Sequence, residues 1–289
     1  MGQIVGGYAA FGGLIDARPV VEALAASPLV DGLETPFRGG VIEVPAGAPD
    51  TWRYVVTLIP ETMQRVGTDP TFGLASPDAA GRAGALDYLR TVHAAVRSAE
   101  VDVLAVELHS APTRTADAAA FADSLAELAG WGWGETQVVV EHCDAWSDAH
   151  AVEKGFLTLA EELDAAAGAG LGVSINWARS VIETRDADTG LAHVREAAGR
   201  GLLRGLMFSS VSPVVNEVSA GWIDAHLAPS GHSAGPEGSL LTPEIMADCL
   251  AAADDVWRGF KISLPSRLGA EARAEALLEM LAMVDAATS

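Results

Sequence analysis

The strongest constraint on how this sequence can fold is an alternation. Short apolar runs rich in valine, isoleucine and leucine are separated by longer Ala/Leu/Glu/Arg segments whose apolar residues return at helical spacing. The runs 3–10, 32–35, 54–59, 103–108, 137–141, 172–176, 205–208 and 260–264 read as strands. Several are too continuously apolar to own a solvated face, as expected of parallel strands covered on both sides. Segments 17–26, 80–99, 116–130, 151–167, 190–199, 243–258 and 270–287 read as helices. Their ends carry suitable residues: Ser27 and Pro28 follow the first, Gly168 and Gly170 follow the fourth, and Thr242-Pro243 reads as an N-cap followed by proline at the first helical position. Only the stretch 35–53, rich in Pro and Gly, lacks a helix after its strand.

Eight strand runs in strict alternation over 289 residues favour a single (β/α)8 TIM barrel spanning 1–289 over an open doubly wound sheet, since such barrels typically take about 250 residues. The seventh strand is followed by an unusual segment. Residues 212–241, rich in Gly, Ser, Pro and His, far exceed the usual ~2–6 residue βα loop. In a barrel this long loop would lie over the C-terminal mouth, where catalysis takes place.

Charge and composition exclude several classes of function. Lys+Arg 18 against Asp+Glu 39 gives a net charge of −21 at pH 7, a field that repels nucleic-acid backbones and anionic lipid surfaces. No nucleic-acid or membrane partner is expected. Gly6, Gly7, Gly12 and Gly13 do not form GxGxxG, and no P-loop occurs, so no nucleotide cofactor is expected. Cys143 and Cys249 are the only cysteines. They form neither a disulfide framework nor a CxxC pair, which suits a reducing compartment. The N-terminus has no basic and apolar leader pattern, and no apolar run approaches the ~18 residues of a bilayer span, so a cytoplasmic location is expected.

In a barrel, polar residues at strand ends face the catalytic mouth. Those residues are Glu34, Glu61, Glu107, His109, Glu141, His142, Asn176, Arg179, Ser209, Ser210, Lys261 and Ser263. Glu107 and His109 are two apart and so share one face of an extended strand. Glu107 follows Val103-Leu104-Ala105-Val106, where an unpaired carboxylate is costly; it is either a structural ion-pair partner, or a general acid/base or metal ligand. Glu141 ends Val138-Val139-Val140 and precedes His142-Cys143-Asp144, which makes it the leading catalytic candidate, with a buried structural pair as its alternative. His142, as a strand neighbour of Glu141, points the other way, toward a helix. Cys143 reads as a small apolar residue. Asn176 offers donor and acceptor to a carbonyl or hydroxyl. Arg179 offers a fork to an anionic group, or else a partner for Glu141 or Glu183. Lys261, inside Phe260-Lys261-Ile262, demands an anionic partner; pairing with Glu141 or Glu107 ranks above a Schiff-base role. In the long loop, His226 and His232 match no metal spacing, and a histidine there could close over substrate.

This order of strands and end residues resembles the xylose-isomerase-like superfamily of TIM barrels, which holds sugar isomerases and epimerases, over nearly the whole chain. The resemblance implies metal ligands at the ends of the fifth to eighth strands: a Glu, an Asp with a His three residues later, a His, and a Glu. Glu141 stands at the first of these. Asn176 and Arg179 replace the Asp and His, Ser209 and Ser210 stand where a His is usual, and Lys261 or Ser263 takes the zone of the last Glu. These replacements remove negative charge and add positive charge, against the needs of a divalent cation. If a divalent metal is retained, its relocated ligands would be Glu107, His109 and Glu141, with His142 as a further donor.

The resemblance implies a carbohydrate-active isomerase, epimerase or β-eliminating lyase that abstracts a proton next to a carbonyl. Glu141 or Glu107 would be the base, and Lys261, Arg179 and Asn176 would hold the developing oxyanion. His109, Asn176, Arg179, Ser209, Glu34 and His226 would contact a small-molecule carbohydrate. The alternative is a non-catalytic sugar-binding or subunit-partner barrel. A glycoside hydrolase would instead need two carboxylates ~5–10 Å apart across an open cleft. Barrels of this superfamily commonly pair, which implies a homo-oligomer.

Overall fold

The computed structural model describes residues 2–12 and 14–288. In chain order the elements are β1 (Gln3–Gly6), α1 (Gly7–Ala10), α2 (Arg18–Ala25), β2 (Val30–Arg38), β3 (Val41–Ile42), β4 (Arg53–Thr57), α3 (Ile59–Thr68) and α4 (Ala79–Ser98). Then follow β5 (Asp102–Leu108), α5 (Ala118–Ala129), β6 (Gln137–His142), α6 (Leu159–Ala169), β7 (Gly172–Asn176) and α7 (Trp177–Thr184). The chain closes with α8 (Asp188–Gly199), β8 (Leu203–Phe208), α9 (Pro243–Ala252), β9 (Trp257–Phe260) and α10 (Ala270–Ala286).

Parallel pairing runs β1-β9-β8-β7-β6-β5-β4-β2, and β1 pairs with β2 to close the ring. This is the (β/α)8 TIM barrel read from the alternation. β3 lies outside it as the antiparallel partner of the overhanging end of β2, with Phe37 opposite Ile42.

The two-residue side-chain period divides the strands between two cores. Ile4, Val55, Ala105, Val139, Met207 and Trp257 meet inside the barrel as its apolar floor. Their strand neighbours, among them Val5, Leu33, Val56, Val106, Val140 and Phe260, pack outward against the helices. The floor contains a tryptophan only because β8 carries glycine beside it: a Cβ on Gly205 would lie 2.0 Å from the Trp257 ring. Gly205→Ala is expected to destabilise the protein by about 1–3 kcal/mol through overpacking, measured as a lower urea midpoint at unchanged slope.

Several boundaries differ from those the sequence predicts. The first run does not remain a strand over 3–10; it leaves the sheet after Gly6, and residues 7–10 form the short helix α1. The side chain of Lys261 occupies the space beside Gly6, where a Cβ would meet its Cγ at 2.8 Å. The run 54–59 ends at Thr57, and α3 follows with proline in its first turn. The helix read over 151–167 starts at Leu159 because Thr158 and Glu161 form a reciprocal capping box, while Phe156 bridges to Ala145. The helix read over 243–258 stops at Ala252, and Asp254 then adopts a left-handed φ of 48°. The last strand accordingly occupies Trp257–Phe260, before rather than within 260–264. Helix α7, absent from the sequence reading, starts directly after β7 with Asn176 as its cap. Between β8 and α9 the long loop holds neither helix nor strand, only an isolated bridge from Ser210 to Leu227.

Candidate active site

Above the apolar floor the inward positions become polar. Glu34 from β2, Glu107 from β5, Glu141 from β6, and Lys261 just after β9 are at most 1% exposed. Lys261 Nζ lies 2.5 Å from Glu34 Oε1 and 3.5 Å from Glu141 Oε1. Glu141 is the hub. Its Oε1 pairs with an Arg179 guanidinium nitrogen at 2.5 Å. Its Oε2 lies 2.8 Å from His109 Nε2 and accepts a longer bond from Thr57 Oγ1 at 3.4 Å. Arg179 in turn donates through Nε to Asp224 Oδ2 at 2.9 Å, which also receives Lys154 Nζ at 2.9 Å. His226 Nδ1 stands 3.0 Å from the other Asp224 oxygen. The result is a buried chain of alternating charge: Glu34, Lys261, Glu141, Arg179, Asp224, Lys154.

Glu107 stands apart from this chain. Its Oε1 accepts a bond from Ser174 Oγ at 2.9 Å, and its Oε2 has no hydrogen-bond partner. Burial, reinforced by the charges of Glu141 and Glu34, pushes its pKa well above the usual carboxylate range. Burial likewise raises Glu34, although Lys261 opposes the shift. Glu141 behaves oppositely: burial would raise it, but Arg179 and Lys261 together with His109 hold it well below the usual range. Despite burial, Glu141 and Glu34 keep Lys261 charged well above the ordinary lysine value. Burial lowers both His109 and His226, in spite of their carboxylate neighbours. Burial also raises the Cys143 thiol, in keeping with an inert residue.

Asn176 caps α7 through Oδ1, which accepts from Ala178 N at 3.2 Å and from Ser209 Oγ at 2.7 Å, while its Nδ2 is buried without a partner. Arg179 pairs with Glu141 and Asp224. Ser210 bonds into the long loop through Ser239 and Leu241.

Three residues at predicted strand ends lie outside the charged cluster. Glu61 sits on α3 paired with Arg65, because β4 ends earlier than the apolar run does. Ser263 is exposed. His142 points outward between Glu162 and Glu183. Against the lowering effect of burial, these carboxylates push its pKa up to about 10.

Tyr8, Asp224 and Lys154 escaped the sequence reading. Tyr8 places its ring 5.3 Å from Lys261 Nζ and edge-on to His226. Tyr8 and Glu34 line a cavity of about 500 Å³ between α1 and the β2–β3 hairpin, together with Phe11, Thr35 and Pro36. A volume of that order suits a small organic ligand.

Two sets of donor atoms in the mouth are close enough to share an ion: Glu34 with Glu107 and Glu141, and His109 with Glu141 and Cys143. The carboxylates Glu34 and Glu141 already neutralise Lys261, and Glu141 also binds Arg179. A divalent cation placed there would meet two fixed positive charges, so the mouth as folded does not fit one.

Residues 4–276 match the family described as "Domain of unknown function (DUF4862)". The chain belongs to this family. Among similar sequences, the "Uncharacterized protein STM3670" of Salmonella typhimurium LT2 is 38% identical over 214 residues, 71% of this chain and 67% of the relative. Among solved structures, a xylose isomerase-like TIM barrel/4-hydroxyphenylpyruvate dioxygenase fusion protein superposes with a TM-score of 0.62 at 14% identity. That match covers 97% of this chain but only 42% of the fusion protein. An L-ribulose 3-epimerase gives a TM-score of 0.62 at 14% identity over 99% of this chain and 96% of its own. The IOLI protein, solved with a bound zinc atom, gives 0.64 at 9% identity over 99% of both chains. This DUF4862 member therefore has the xylose isomerase-like TIM-barrel fold. Among its described residues no helix is long and apolar enough to cross a membrane.

Proposed function

We propose that the barrel catalyses proton transfer at a carbon next to the carbonyl of a small carbohydrate, as an isomerase or epimerase. Lys261 supplies the positive charge that such a reaction needs. The carrying observation is the Lys261–Glu34 pair, 2.5 Å apart, with Glu34 on the wall of the cavity that also touches Tyr8. Burial makes Glu34 a stronger base than an exposed carboxylate.

When Glu34 takes a proton from the substrate carbon, its own charge disappears and Lys261 loses a partner. The freed ammonium charge is then available to the enediolate oxygen formed in the same step. Glu141, held ionised by Arg179, keeps Lys261 protonated throughout. Return of the proton to the neighbouring carbon, as the hydroxyl proton passes between the two oxygens, isomerises the sugar; epimerisation instead needs a second acid to protonate the original carbon from the opposite face. Loss of a β-substituent instead would give a lyase. Glu107 and Glu141 are the bases expected from the sequence; Glu34 is preferred because Glu141 is committed to two cations and Glu34, unlike Glu107, lines the cavity. The activity for which the L-ribulose 3-epimerase neighbour is named supports the substrate class.

One observation favours the non-catalytic alternative: Tyr8 lies over Lys261, and Glu34, Lys261, Glu141 and Arg179 neutralise one another while buried. Proton NMR in D2O over a panel of aldoses and ketoses separates the two readings. The enzyme is expected to replace the hydrogen next to the carbonyl with deuterium, and Glu34→Gln to slow this by about 100-fold or more. Glu61→Gln, on the outer surface, should exchange like the unmodified protein. Unchanged exchange in Glu34→Gln would remove Glu34 from the mechanism, and sugar binding with no exchange would favour the binding barrel.

A further inference from the structure

β6 presents Glu141 inward and His142 outward, and the outward side holds a second cluster. His142 Nδ1 donates to Glu162 on α6 at 2.7 Å. Its Nε2 lies 3.1 Å from Glu183 Oε2 on α7, without the alignment of a hydrogen bond. The His193 ring of α8 stands 5.1 Å away at 73°, and its Nδ1 is also buried without a hydrogen-bond partner. One donor atom each from His142, Glu183 and His193 falls within 4.8 Å of the others.

From this geometry we infer a zinc site in the helix layer, formed by His142 Nε2, Glu183 and His193 Nδ1 and separate from the barrel mouth. Two imidazoles and a carboxylate are an ordinary tetrahedral zinc set with a fourth position left to water. The 3.1 Å between Nε2 and the carboxylate is close to the ~3.3 Å edge expected when two ligands share a tetrahedral ion at about 2.0–2.1 Å. Glu162 completes the arrangement, because a carboxylate on the far nitrogen fixes the tautomer and turns the Nε2 lone pair toward the ion. Without metal, the proton on Nε2 offsets only one of the two carboxylate charges. On binding it leaves to solvent, and the dication neutralises Glu162 and Glu183. Glu183 is 15% exposed, which gives the ion and its water a way in. The mouth offers no such room, because Lys261 and Arg179 already hold its carboxylates. The site would tie β6, α7 and α8 together, and α7 also carries Arg179.

Anomalous diffraction at the zinc edge, from crystals of the unmodified protein grown with zinc, locates the ion directly. A peak between His142, Glu183 and His193 is expected. A peak only among Glu34, Glu107 and Glu141, or no peak, overturns the proposal. In solution, competition with a chromophoric chelator should show one tight equivalent, weakened at least tenfold in His193→Ala and unchanged within twofold in Glu107→Gln. Equal affinity in His193→Ala also overturns it. Because the diffraction result needs no variant, the test stands even if His193→Ala fails to fold.

Discussion

Lys261→Met is expected to destabilise the barrel by about 3–5 kcal/mol at neutral pH, the cost of removing one partner from a buried ion pair. Methionine fills a similar volume, so packing contributes little to the loss. The cost comes from Glu34 and Glu141, which lose the ammonium 2.5 and 3.5 Å away while their burial persists. Glu34 would then take up a proton at a higher pH than before. Acid should therefore partly rescue the variant, and the difference from the unmodified protein should narrow as the carboxylates protonate. The double replacement Glu34→Gln with Lys261→Met should be less damaging than the two single costs added together, because the second change removes a charge that the first had stranded. Chemical denaturation of all four proteins at two pH values measures each term. Additive costs would mean that Lys261 and Glu34 do not form the unit described.

Arg179→Met is the second large effect, again about 3–5 kcal/mol at neutral pH, because Arg179 bridges Glu141 and Asp224. Its pH dependence has a definite sign. Burial would raise Asp224, but His226 and Lys154 together with Arg179 hold it well below the usual carboxylate range, and Glu141 is lowered similarly. A group whose folded pKa is depressed stabilises fully above its unfolded value and loses that contribution as pH falls through its folded value. With unfolded values near 3.9 and 4.3, the deficit of Arg179→Met should be constant above about pH 5 and shrink at lower pH. A deficit that grew on acidification would contradict the assignment of these charges.

The sequence revealed the ring more readily than its closure. Period and apolar content marked the barrel strands except the last, which overlaps the segment read as a helix, because buried parallel strands carry little else. Glu141 and Lys261 were legible for the same reason: a charge inside an apolar run needs a partner. Their partners were not legible. Glu34 meets Lys261 only because β1 lies between β2 and β9, which brings residues 227 positions apart in sequence into contact. Tyr8 was hidden inside a run that continues the β1 pattern, although the chain turns after Gly6. Asp224 and Lys154 lie in loops, where no periodicity signals direction, and they are placed by ion pairs formed after the barrel closes. His142 was read correctly as pointing toward a helix, but its partner Glu162 went unremarked within the helix read over 151–167. Arg179 was recognised with Glu141 as one candidate partner; the structure selects that partner and adds Asp224.

In the proposed reaction, proton transfer in the mouth draws its positive charge from Lys261 rather than from a bound divalent ion. Solvent-deuterium exchange into the sugar substrate, measured by NMR before and after exhaustive chelation, tests it most directly. The account predicts that exchange continues at a rate within about twofold after chelation, whereas Lys261→Met loses it by about 100-fold or more. Exchange that stops on chelation and returns with an added divalent ion, or exchange that survives in Lys261→Met, would contradict it.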